Sequence, residues 1–280
     1  NNAEARIISH ELSLYINPGL INFFPEREIL PYDHFSSPES IIKDRFKILN
    51  KVDDMPNILI TSSKNLFERF PSKSFFRSLQ SFNVGDSIAL DSFKKILIDN
   101  HFLNTDRVDN INRFSSRGGV LDIWPSIYKN PIRIEFFDEE IESIRSFNPS
   151  SQLTINKINQ FNLTIGSNIP LDNESVKRFR DNWRDYFPNN DERVCELFND
   201  LNKKNLTEGY EIYLPLFFDK TESFKNLFND YKYIKSDGVK EENKNFWHEI
   251  NRRFDEENID SSRPLLKPEN LFFNLDYVEN

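Results

Sequence analysis

A single cysteine, Cys195, stands among 280 residues, which excludes a disulfide framework and a thiolate metal site. Glycine is nearly as scarce. None of the seven is spaced as Gly-x-Gly-x-x-Gly or as the phosphate-cradling Gly-x-x-x-x-Gly-Lys-Ser/Thr loop, so no nucleotide-triphosphate site of that type is expected. His10, His34, His101 and His248 are scattered, without the i, i+4 pair of a zinc-binding helix. No Gly-x-Ser-x-Gly elbow occurs, and no catalytic constellation is found. Positive charge is also short: 36 Lys plus Arg against 45 Asp plus Glu give a net charge of −9. Phosphate affinity is built from Lys and Arg, so such a chain is a poor autonomous binder of nucleic acid or of an anionic membrane. No apolar run approaches the ~20 residues of a membrane span, and no basic-then-apolar leader is expected. The setting implied is soluble and cytoplasmic.

What is present is phenylalanine, 27 copies, within a hydrophobic fraction of 38%, enough to build cores and to exclude a disordered chain. The 34 asparagines, with abundant Ile and Lys, read as compositional drift, so single Asn residues carry little information. Opening on Asn1-Asn2 rather than Met, the chain is expected to be a piece of a longer protein. The carboxylate groups Asp53-Asp54, Asp138-Glu139-Glu140 and Glu241-Glu242 read as solvated loop or helix faces.

Helical spacing over Ala3–Leu14, a short apolar run at Leu20–Phe24, a helix after Ser36-Ser37-Pro38-Glu39 and the apolar run Asn57–Thr61 describe alternating helix and strand, hence an α/β layer with a parallel sheet. Ser36 and Glu39 have the spacing of a capping box. The middle differs. A helix over Asp91–Asn100 with Asp91 as its cap is followed by expected strands at Gly119–Trp124, Ile132–Phe137, Ile141–Phe147 and, as one long element, Leu153–Ile165. These connections are local, so the sheet should be antiparallel. Beyond Gly166 the spacing predicts helices at Asn173–Phe187, Glu192–Leu201 and Glu241–Glu257, and strands at Tyr210–Phe218 and Asn270–Leu275.

The most specific stretch runs from Arg113 to Pro125, RFSSRGGVLDIWP. Gly118-Gly119 before a strand suggests a bulge or a turn of positive φ that lets Arg117 project. In Ile132-Arg133-Ile134-Glu135-Phe136-Phe137 the period of two puts Arg133, Glu135 and Phe137 on the face opposite the core. An exposed Phe beside an Arg is the composition of a protein-binding hot spot. Equally, Phe137 could be one more packed Phe in a Phe-rich chain. The residues alone leave both readings open.

With Arg133-Ile134, Phe137 and Glu140-Ile141-Glu142-Ser143-Ile144-Arg145 following at their spacing, this stretch resembles the UvrA-binding domain shared by UvrB and the bacterial transcription-repair coupling factors. The flanks Leu30–Ser36, Gly209–Phe218 and Arg263–Leu266 are similar to the coupling-factor family. The sequence departs from the family at Asn112-Arg113, Ser115-Ser116 and Asn104. The resemblance implies a degenerate motor-like parallel α/β domain made of two chain segments, 1–83 and 166–280, around an inserted antiparallel α+β UvrA-binding domain, 84–165. It implies UvrA contact through Arg117, Arg133 and Phe137, a recruiting rather than catalytic role for this piece, and ATP, DNA and RNA polymerase as ligands of the full-length protein. Glu139 and Glu140 are expected to be solvated turn residues. A UvrB-like damaged-DNA-binding subunit is the alternative, with Lys177–Arg184 as its best nucleic-acid candidate. The simpler reading of that stretch is an amphipathic helix with Val176, Phe179 and Trp183 inward.

Overall fold

In the computed structural model, residues 1–52, 58–77 and 80–279 are described, so Asp53-Asp54 and Asn57 lie outside the described residues. The chain divides into two compact units. One comprises Asn1–Ile48, Asp54–Phe75 and Ile169–Asn280; the other comprises Leu49–Asp53 and Phe76–Asn168. Helices, parallel pairing and antiparallel sheets all occur, making this an α/β fold.

In the two-segment unit, α1 (Asn2–Ser13) begins at Asn1, whose side chain accepts from the Glu4 amide at 3.0 Å. Strands β1 (Ile21–Phe24) and β2 (Ile58–Thr61) pair in parallel, with α2 (Glu39–Leu49) between them in the chain. This two-stranded pair is the only parallel sheet among this unit's described residues. The Ser36 hydroxyl, three residues ahead of Glu39, donates to Glu211 Oε2 at 2.8 Å and accepts from the Gly209 amide at 3.0 Å. A short antiparallel pair joins β3 (Arg69–Phe70) to a later segment, Glu222–Ser223.

The two segments of this unit share one core. Tyr32 donates its hydroxyl to the Leu266 carbonyl at 2.9 Å, and Arg263 returns a bond to the Tyr32 carbonyl at 3.0 Å. In the same unit Glu68 accepts from the half-buried Arg27 Nε at 2.7 Å and from the buried Arg45 Nη2 at 2.6 Å.

The other unit begins with β4 (Gln80–Asn83) and α3 (Leu90–Asp99). Strands β5 (Leu103–Asn104), β6 (Arg113–Arg117), β7 (Val120–Ile123), β8 (Ile132–Phe137), β9 (Glu140–Phe147) and β10 (Thr154–Ile158) form one sheet in the order β10-β9-β8-β7-β6-β5. All neighbours are antiparallel except β5 and β6. Strand β11 (Gln160–Leu163) leaves this sheet to pair with β4. Phe82, Phe93, Leu97, Phe114, Leu121, Ile132, Ile134, Phe136, Ile141 and Phe161 build the core of this unit. A bulge between Glu135 and Phe136 of the β8–β9 register turns both Ile141 and Ile144, three residues apart, into that core.

Four expectations are corrected. The long strand over 153–165 is two strands in two sheets, because the chain changes partner at Asn159, whose carbonyl accepts from the Val84 amide at 2.9 Å. Tyr210–Phe218 is not a strand but a 3₁₀ helix, Tyr210–Phe217. It is entered through Gly209 at φ +78, and Pro215 has no N–H to offer a ladder. The tail over 270–275 is helical at its two ends, Pro268–Leu271 and Leu275–Glu279, since Pro268 pre-sets a first helical turn. Asp91 is not the cap of α3: Ala89 occupies that position, and the Asp91 carboxylate takes Lys94 Nζ at 3.2 Å.

The amphipathic reading of the basic stretch holds. In α4 (Asn173–Tyr186) Val176, Phe179 and Trp183 are buried, and the Phe179 ring stacks on Phe217 with centroids 4.6 Å apart. Asp172 caps this helix, accepting from the Glu174 and Ser175 amides at 3.0 Å each. Burial pushes the Asp172 carboxyl up, but the hydrogen bonds from Ser175 and Glu174 more than offset it and hold it below the usual carboxylate range. Asp172→Ala is expected to cost about 1 kcal/mol, read as a lower midpoint in chemical denaturation. A carboxyl depressed in the folded state stabilises above its unfolded pKa of about 3.9, so this contribution is lost as pH falls below that value. The difference between wild type and Asp172→Ala should therefore shrink in acid.

Candidate partner-binding face of the antiparallel sheet

Register brings together residues the sequence places on one outward face. Ser115 of β6 pairs with Asp122 of β7, Asp122 with Arg133 of β8, and Arg133 with Arg145 of β9. One rung further, Arg117 opposes Val120, Val120 opposes Glu135, and Glu135 opposes Ser143. Phe137 opposite Glu140 forms the next rung. Rungs on one face repeat every two residues, roughly 7 Å, so Arg133, the Arg117 rung and Phe137 span about 14 Å of a single surface.

Gly118 makes the corner between β6 and β7 at φ +58, and Glu139 and Asp138 close the β8–β9 hairpin with Asp138 at φ +56. A side chain at Gly119 would lie 2.8 Å from the Phe136 carbonyl, so glycine there lets β7 approach β8. At the end of β8, directly before that hairpin turn, Phe137 is 73% exposed. Glu139 and Glu140 are exposed beside it, as a solvated turn requires.

Arg133 is not the free cation its position suggests. Its Nε and Nη2 reach Asp122 Oδ1 and Oδ2 at 2.6 and 2.7 Å, a two-bond fork, and Nη2 also donates to Gln152 Oε1 at 2.9 Å. The guanidinium lies 4.5 Å over the Phe147 ring, and its side chain is only 22% exposed. The bonds to Asp122 hold this guanidinium above its ordinary pKa. Arg133→Ala therefore strips Asp122 of its partner and is expected to cost about 1.5–3 kcal/mol of folding stability, measured by denaturant titration, besides any loss of binding. Arg145 is likewise engaged with Glu135, which also accepts from Ser143 Oγ at 2.7 Å. Arg117 is exposed and donates through Nη2 to the Asp106 carbonyl at 2.6 Å.

Between these groups lies an open hollow of about 450 Å³ walled by Asp106, Arg107, Ser115, Arg117, Val120, Asp122, Arg133 and Gln152. Sequence reading missed three of its features: the Asp122 fork, Gln152 and Arg107. Period two places Asp122 outward, and opposed charges on neighbouring strands attract. Which residue it faces, however, depends on a register set across the Trp124–Pro131 connection. Among the described residues, no group of three or more His, Cys, Asp or Glu side chains could hold a metal, and no helix is long and apolar enough to cross a membrane.

Residues 81–167, the unit that carries this face, match the family of the UvrB interaction domain. The chain is 28% identical to the transcription-repair-coupling factor of Haemophilus influenzae over 91% of its length and 22% of that protein's. It is 28% identical to the Escherichia coli transcription-repair-coupling factor over 95% of its length and 23% of the relative's. For the Rickettsia bellii protein of the same name the values are 26%, 98% and 25%. The resemblance read from the Arg117–Pro125 motif and its flanks is thus borne out. The chain spans about a quarter of the length of these curated relatives.

Proposed function

We propose that this chain is the UvrA-recruiting part of a transcription-repair coupling factor: a non-catalytic module that brings nucleotide excision repair to stalled RNA polymerase. The observation that carries the reading is the exposed Phe137 ring on the same sheet face as Arg117 and Arg133, inside the segment similar to the UvrB interaction domain. Apolar area from the ring would anchor the complex. Arg117 would meet a carboxylate of UvrA, and Arg133, already clamped by Asp122, would present its remaining edge in a fixed orientation. ATP, DNA and RNA polymerase would be engaged by parts of the full-length protein outside these 280 residues, in the cytoplasm. A UvrB-like strand-clamping role draws no support from Lys177–Arg184, whose Phe179 and Trp183 are in the core.

Retention of purified UvrA by the immobilised chain, with and without ATP and DNA, tests the proposal. Stable retention is expected without DNA. Passage of UvrA through the column under every condition would overturn it.

A further inference from the structure

Resting on the UvrA-recruiting reading, we propose that Arg107 is a further specificity-determining residue of this face, and that the hollow between Arg107 and Arg117 receives a carboxylate side chain of the partner protein. Three guanidinium groups, of Arg107, Arg117 and Arg133, line the hollow against two carboxylates, of Asp106 and Asp122. Asp122 is committed to Arg133 through two bonds. The other two cations are held differently. Arg107 Nη2 donates to the Pro149 carbonyl and, at 2.8 Å, to that of Ser150. Arg117 Nη2 donates to the Asp106 carbonyl, which also accepts from Ser115 Oγ at 3.0 Å.

Backbone carbonyls orient a guanidinium without neutralising it, so both cations keep their charge and their remaining N–H donors. The rim is also continuous. Gln152 Nε2 donates to the same Pro149 carbonyl at 2.9 Å while Gln152 Oε1 takes Arg133, linking the Arg107 side of the hollow to the Asp122 side. A preformed ring of this kind gives up little side-chain freedom when an anion enters. The anion is a protein carboxylate rather than a nucleic-acid phosphate. The hollow has a net charge of only +1 by these groups, the chain carries −9, and the neighbouring Phe137 ring supplies apolar surface of the kind protein partners bury.

The test uses the whole chain in two arms. In the first, UvrA affinity is measured by calorimetry for wild type, Arg107→Glu, Arg107→Lys and Phe137→Ala, with thermal melts as the folding control. Arg107→Glu is expected to weaken binding by roughly 10- to 100-fold, and Arg107→Lys, which keeps charge but not the fork, by about 3- to 10-fold. In the second arm, fluorescein-labelled hexaglutamate is titrated against hexaglutamine by anisotropy. Only hexaglutamate should bind, weakly and with salt sensitivity, and Arg107→Glu should abolish it. If Phe137→Ala loses UvrA while Arg107→Glu, equally folded, binds like wild type, the role of Arg107 is overturned and the recruiting reading stands. If wild type fails to bind UvrA, the recruiting reading falls and the peptide arm decides the hollow. A hexaglutamate signal that Arg107→Glu leaves unchanged, or no signal, then overturns it.

Discussion

Phe137→Ala is expected to weaken UvrA binding by roughly 30- to 1,000-fold while leaving the folded chain intact. At 73% exposure the ring makes few contacts with its own protein, so its removal should change the thermal midpoint by no more than about 1 °C, the behaviour of a surface substitution. In a complex the same ring becomes a central aromatic anchor, and truncating such anchors costs about 2–4 kcal/mol, or roughly 30- to 1,000-fold in Kd. Calorimetry against UvrA and a melt on one preparation separate the two quantities. Affinity within threefold of wild type would remove the ring from the interface. Arg133→Ala is a poorer probe, since its fork with Asp122 makes it a structural member of the sheet as well.

The largest expected effect on stability lies in the two-segment unit, at Glu68. Its carboxylate is the shared acceptor of Arg27 and Arg45, and Arg45 also donates to the Pro25 carbonyl at 2.8 Å and to Asn65 Oδ1 at 2.9 Å. Burial alone would push the Glu68 carboxyl up, but Arg45 and Arg27 more than offset it and hold it below the usual range. Burial draws Arg45 down to about 10 in spite of Glu68. Glu68→Ala leaves the buried Arg45 and the half-buried Arg27 without the carboxylate they share, a loss of about 3–5 kcal/mol. Glu68→Gln, which keeps an acceptor but not the charge, should fall between it and wild type in urea titration. The wild-type contribution is present above the unfolded Glu pKa of about 4.3 and fades as pH falls below it. Equal urea midpoints for wild type and Glu68→Ala would show that the triad contributes nothing net.

Local periodicity was a good guide where one element faces one core. The i, i+3, i+7 stripe of Val176, Phe179 and Trp183 packs inward as its spacing requires, and Ile132, Ile134 and Phe136 do the same in β8. It failed where an apolar run is buried on every side. Ile212, Tyr213, Leu214, Leu216 and Phe217 are all buried, so they show no alternation by which strand could be told from helix. It failed again at Asn159, because a change of strand partner leaves the propensities on either side unaltered.

The candidate face divides along the same line. Composition and spacing alone determined that Phe137 and Arg133 lie on the side opposite Ile134, and that the glycine pair beside Arg117 marks a bulge or a turn, because each depends on neighbours within a few residues. Which guanidinium is neutralised and which stays available was decided by tertiary structure. Asp122 meets Arg133 across a strand register, and the carbonyls of Asp106 and Pro149 meet Arg117 and Arg107 across separate loops. Charge compensation acts over a few ångströms in space, whatever the distance along the chain, and no one-dimensional pattern records it.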